Sequence, residues 1–154
     1  MTGILSLSYQ SITVNLSRFA DANFPRERLE PLTAGQSRNG ASLLNGPSYE
    51  SKHIWNVSAI VPPADAALAQ DISDLYQLLA GNVVVSDGIR PYTEPTPRTR
   101  PLVATTTATT IGSRVRYFAQ FNALISGVTV NKLRLFEETY QVDFQLTELS
   151  KLTV

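Results

Sequence analysis

Apolar and polar residues alternate along residues 4 to 16, ILSLSYQSITVNL, as they do in a strand with one buried face. The phase slips once: Leu5, Leu7 and Tyr9 share one face, then Ile12, Val14 and Leu16 share the other. A one-residue slip would turn the apolar set to solvent, so a bulge or tight turn is predicted near Gln10 and Ser11. The alternation returns in HIWNVSAIVPP, residues 53 to 63, where His53, Trp55, Val57, Ala59 and Val61 point one way. Pro62 and Pro63 end that strand, since neither can donate to a ladder. The same prolines open a helix predicted over about residues 64 to 80. Asp65 favours its N-terminal end, Gly81 follows its last turn, and Leu68, Ile72, Leu75 and Leu79 recur at helical spacing.

Strand-like stretches dominate the second half: NVVVSDGI, RVRYFAQF, VTVNKLRLFEE and YQVDFQLTEL. In the last of these Tyr140, Val142, Phe144 and Leu146 face inward, and Asp87-Gly88 offers a turn after the first. Two stretches lack the pattern. Residues 20 to 51 contain Pro25, Pro31, Gly35, Gly40, Gly46 and Pro47 and are predicted as a long loop. Over residues 91 to 112, Pro91, Pro95, Pro97 and Pro101 favour an extended excursion, which then runs into a Thr-rich, β-prone segment. The whole chain, 1 to 154, is thus expected to be one mainly β domain with one α-helix. An antiparallel β-sandwich or a split barrel fits, with the helix packed across it and long extended loops. Its expected core anchors are Trp55, the helix stripe of Leu68, Ile72 and Leu75 on which Trp55 should pack, and Phe144.

Composition narrows the function. Charged residues make up 17% of the chain, below the roughly 25% typical of soluble domains, so Ser, Thr, Asn and Gln must cover much of the surface. Such a surface suits contact with other protein. Thirteen basic and thirteen acidic residues cancel, which argues against direct nucleic-acid readout through a basic patch. The chain has no cysteine, so disulfides, thiol nucleophiles and cysteine metal sites are excluded. MTGILSLSYQS lacks the basic n-region and long apolar core of a secretory signal. Apolar runs fall short of the ~20 residues a membrane helix needs, so a soluble chain without membrane insertion is expected.

Candidate chemistry is sparse. His53 is the one residue of a type suited to proton transfer near neutrality, and Ser48, Glu50 and Ser51 lie near it in sequence. No G-x-S-x-G elbow, calcium loop or phosphate loop accompanies them. His53 stands at the entrance of an apolar row, not among acids or hydroxyls, and reads as a strand-end histidine beside a packing tryptophan. Asp71 and Asp74 read as solvated charge on the helix. No catalytic, cofactor or metal residue is therefore assigned, and the chain is not expected to be an enzyme. Arg90, Tyr92, Arg98 and Arg100 form a local basic segment in the Pro-rich excursion, able to grip a partner's carboxylates bidentately, and are the candidate interface.

Three stretches carry a resemblance. SYESKHIWNVSAIVPPADAALAQDISDLYQLLAG runs a Trp-bearing strand through prolines into an amphipathic helix, NVVVSDGI leaves that helix, and YQVDFQLTEL forms a closing strand with an acidic residue before an apolar one. This organisation resembles the small β-rich ring proteins of long-tailed bacteriophage tails: distal tail, baseplate hub and tail-tube-related proteins. The resemblance covers residues 48 to 90 and 140 to 149 and rests on organisation, without a diagnostic motif. It implies a structural virion component, made in the host cytoplasm, that forms a homo-oligomeric ring of sixfold symmetry with other tail or baseplate proteins and carries no catalytic site. The alternative is a β-sandwich module binding a ligand such as carbohydrate, with Trp55 or Tyr92 as stacking platform.

Overall fold

The computed structural model describes residues 4–20, 26–29, 33–36, 42–45, 52–94, 109–111, 114–134 and 138–153. In chain order the elements are β1 (Leu5–Tyr9), β2 (Ile12–Leu16), β3 (Arg26–Leu29), β4 (Thr33–Gln36), β5 (Ser42–Asn45), β6 (Lys52–Val61) and α1 (Pro63–Leu79). There follow β7 (Val83–Asp87), β8 (Tyr92–Glu94), β9 (Thr109–Ile111), β10 (Arg114–Tyr117), β11 (Gln120–Arg134) and β12 (Thr139–Lys151). The protein is mainly β, with one helix among the described residues.

The main sheet has seven strands in the order β2-β1-β7-β11-β12-β6-β3, every pair antiparallel. The phase slip between the first two strands is resolved by a tight turn: Tyr9 pairs with Ile12, and Gln10 takes a positive φ of 53°. Leu5, Leu7, Tyr9, Val14 and Leu16 then all face the core. After β2 the chain crosses to β6, where the Ala20 and Ile60 N–H groups donate to the Ser58 and Arg18 carbonyls at 2.9 and 2.8 Å. The sheet therefore curls until its first edge reaches β6. A single bridge, Phe19 to Ala59, makes the connection, and the sheet is not closed into a barrel.

Helix α1 starts as the prolines dictate, with Pro62 extended at the N-cap and Pro63 in the first turn. It packs on the curled sheet along β2, β11 and β12. Its buried residues are Ala66, Ala69 and Ile72, with Leu68 and Leu75 half-buried at the flanks. The buried stripe is thus rotated from the one predicted, because alanines let the helix axis approach the sheet closely. Leu79 is left exposed, where Ala80 and Gly81 turn to positive φ and the Tyr9 hydroxyl donates to the Ala80 carbonyl at 2.5 Å.

The predicted long loop of residues 20 to 51 holds three four-residue strands. β3 adds to the edge of β6, and β4 pairs with β5. Elements that short carry too few alternations to declare themselves by period. The 91 to 112 excursion likewise contributes β8 and β9, which flank β10 in a small sheet of order β8-β10-β9. Its Pro-rich part from 95 to 108 lies outside the described residues.

Candidate functional site: a buried charged cluster

The inward phase of three strands brings polar side chains into the apolar interior. On β6, His53 and Trp55 follow the buried face, with His53 only 5% and Trp55 0% exposed. On β12, the inward series Val142, Phe144, Leu146 continues to Glu148, 2% exposed; on β7, the series Val83, Val85 continues to Asp87. Burying a carboxylate costs several kcal/mol unless donors surround it, and both carboxylates have them.

One oxygen of Glu148 accepts two hydrogen bonds from His53, from the backbone N–H at 2.9 Å and from ring Nδ1 at 2.8 Å. The other accepts from Lys151 Nζ at 2.5 Å. Lys151 also lies 5.0 Å from the centre of the Tyr92 ring, and Lys52 Nζ donates to the Leu149 carbonyl at 2.7 Å. Burial on its own pushes the Glu148 carboxyl up. The hydrogen bonds and charges of His53 and Lys151 outweigh it and hold the group below its ordinary value of 4.5. The Asp87 carboxylate accepts from the Trp55 indole at 3.0 Å and from the Ile89 and Arg90 amides at 2.9 and 3.0 Å, which fixes the turn that leaves β7. Aromatic rings complete the cluster: Phe121 stands 5.1 Å from Trp55, and Tyr92 meets His53 at 5.8 Å, edge to face.

The reading of His53 as remote from acids is corrected by this geometry, since Glu148 is 95 positions away in sequence and joins it through the β12–β6 ladder. A carboxylate that orients an imidazole is half of a general-base arrangement. Among the described residues no hydroxyl is hydrogen-bonded to His53, and its ring faces Trp55, Tyr92 and Phe121; Ser48, Glu50 and Ser51 lie outside the described residues. The described residues hold no group of three or more His, Asp or Glu arranged for a metal ion.

Trp55, Ile72 and Phe144 lie in the core as expected, and the aromatic neighbours of Trp55 there are Phe121 and His53. Tyr92, expected at a partner contact, is 7% exposed and belongs to the core, because β8 turns its ring inward over Phe121. With both rings buried, neither Trp55 nor Tyr92 offers a stacking platform in this structure. Arg90 is half-buried, and Arg98 and Arg100 lie outside the described residues. Comparison of the chain with protein-family models, with curated proteins and with solved structures finds no match.

Acid should weaken the fold through Glu148. Its carboxyl titrates lower in the folded chain than in the unfolded one, so it stabilises the fold fully above the unfolded value of 4.5. That stabilisation is lost as pH falls through the folded value. Urea midpoints measured down through this range should fall more steeply for the natural chain than for Glu148→Gln; parallel curves would refute the assignment.

Proposed function

We propose that the protein is a structural component of a bacteriophage tail or baseplate, a non-catalytic ring subunit at the tail tube or its distal end. The observation that carries this reading, beside the resemblance in sequence organisation, is the long strand β11. It pairs with β7 only over Gln120–Ala123 and runs on to Arg134 against β12 alone. From Leu124 onward its other edge has no strand partner among the described residues. Leu124 and Leu133 are exposed on it, while Gly127, at a φ of 66°, and the register shift between Ser126 and Thr129 mark an irregularity in its ladder with β12. A strand edge of this length is a template for a neighbouring chain. Copies arranged head to tail satisfy such edges in a closed ring, of sixfold symmetry by the resemblance.

Mass photometry and negative-stain imaging of the purified chain test this. The expected particle is a ring near six times the 16.9 kDa chain mass. Leu124→Lys with Leu133→Lys should leave monomers with the same circular dichroism, because substitutions at exposed positions cost within about 0.5 kcal/mol. A natural chain that stays monomeric at its highest soluble concentration and alongside tail proteins refutes the ring.

A further inference from the structure

We propose that the groove between α1 and the free edge of β11 seats an extended, uncharged segment of a second copy of this chain, added as a strand with a side chain inside the groove. The inference rests on the ring reading and names the part of the subunit that receives its neighbour.

The groove follows from where β7 starts. The Asp87 N–H donates to the Ala119 carbonyl at 3.1 Å, and the register then runs evenly to Ala123 opposite Val83. Alternation along an antiparallel strand turns the N–H and C=O of Ile125 to the same side. No residue of β7 meets them, because the chain reaches Val83 from the helix through Ala80 and Gly81, both at positive φ. Between that edge and the last turns of α1 is an opening of about 370 Å³. Ser73, Tyr76 and Gln77 form its helix wall, and Ile125 to Val128 its strand wall. The strand wall holds a bulge, where Gly127 and Val128 stand opposite the single Phe144. A Cβ placed on Gly127 would meet nothing within 4 Å, so the space over the bulge is open.

The walls select the occupant. An unpaired N–H and C=O on a strand edge call for another peptide backbone. The hydroxyls of Ser73, Tyr76 and Ser126 and the amide of Gln77 line the opening without a hydrogen bond to another described residue. They offer donors and acceptors to a neutral side chain, whereas a charged one would find no counter-charge among the lining residues. Small-molecule pockets run from roughly 300 to 1,000 Å³, so this opening is near the lower limit and suits one or two side chains of a strand. Edge and groove share Ile125 to Val128, so the neighbour that pairs with β11 in the ring also covers the groove. Only 17% of the chain is charged, and uncharged segments to fill it are plentiful.

Photo-cross-linking of the full chain tests this, with Gln77→p-benzoylphenylalanine as probe and the same group at Asp71, exposed elsewhere on α1, as control. Irradiation should join two chains from position 77 and not from position 71, and the linked peptide should come from an uncharged stretch. Gln77→Trp fills the groove from its rim, and Ser126→Arg puts a charge into it. Both positions are exposed, so circular dichroism should stay unchanged. The concentration for half-assembly, measured by mass photometry, should rise about tenfold in each. Assembly of both variants at the natural concentration, or a ring without a cross-link from position 77, overturns the groove and leaves the ring standing. A cross-linked pair that never closes into a ring keeps the groove and overturns the ring. A natural chain that stays monomeric and yields no cross-link overturns both.

Discussion

Trp55→Ala will lower the unfolding free energy by about 3 to 5 kcal/mol, the range for large-to-small changes of a fully buried aromatic. Two effects add. The indole is 0% exposed and packs at 5.1 Å on Phe121, so its removal leaves a cavity between β6 and β11 that the ladders around it cannot close. Its N–H is also a donor to Asp87, a carboxylate as buried as the indole itself. Trp55→Phe separates the two, because it retains most of the volume and loses only the donor; its cost should be nearer the roughly 1.5 to 3 kcal/mol of a hydrogen bond to a charged group. Urea titrations of both variants give these numbers. Native fluorescence of the unsubstituted chain should be blue-shifted and resistant to iodide. A red-shifted, readily quenched spectrum would place the ring at the surface and return the carbohydrate-platform reading to consideration.

The alternation of residues 53 to 61 and 140 to 146 is visible in the sequence, and both strands bury the faces that alternation assigns. A period of two needs several repeats to be seen, and ten- and thirteen-residue strands supply them. The four-residue strands β3, β4 and β5 do not, and their pairing depends on distant edges rather than on local pattern. The helix limits follow from Pro63 and Gly81, whereas its buried stripe does not: apolar spacing favours leucines, and the packing selects Ala66 and Ala69.

The buried cluster was half legible. Continuing the inward phase by two residues past Leu146 reaches Glu148, and past Val85 reaches Asp87. A carboxylate on a buried phase demands a donor, which is the signal that could have found both. Which donor each would take was hidden, because His53 meets Glu148, and Trp55 meets Asp87, only after strands far apart in sequence are brought together. The burial of Tyr92 is hidden in the sequence for a related reason. Its neighbours Pro91 and Pro95 speak for an exposed excursion, but one inward ring is enough to pin β8 over Phe121.

Glu148→Ala should cost as much as the loss of Trp55, about 3 to 5 kcal/mol, the range for removing one partner of a buried ion pair. The expected damage is electrostatic more than steric. The variant leaves Lys151, whose side chain is 5% exposed, without its carboxylate, and leaves both the backbone N–H and the ring Nδ1 of His53 without their acceptor. The cost should therefore shrink when the cation that faced the carboxylate is also removed. Lys151→Met keeps the length of the side chain and its packing over Tyr92, so the double variant Glu148→Ala/Lys151→Met should be more stable than Glu148→Ala alone. A purely steric role for Glu148 predicts the opposite order, with the second substitution adding its own loss to the first. Urea midpoints of the two single variants and the double variant, taken at neutral pH, decide between these. A double variant less stable than Glu148→Ala would show that the carboxylate fills space rather than balances charge, and the acid sensitivity assigned to it would fall with that result.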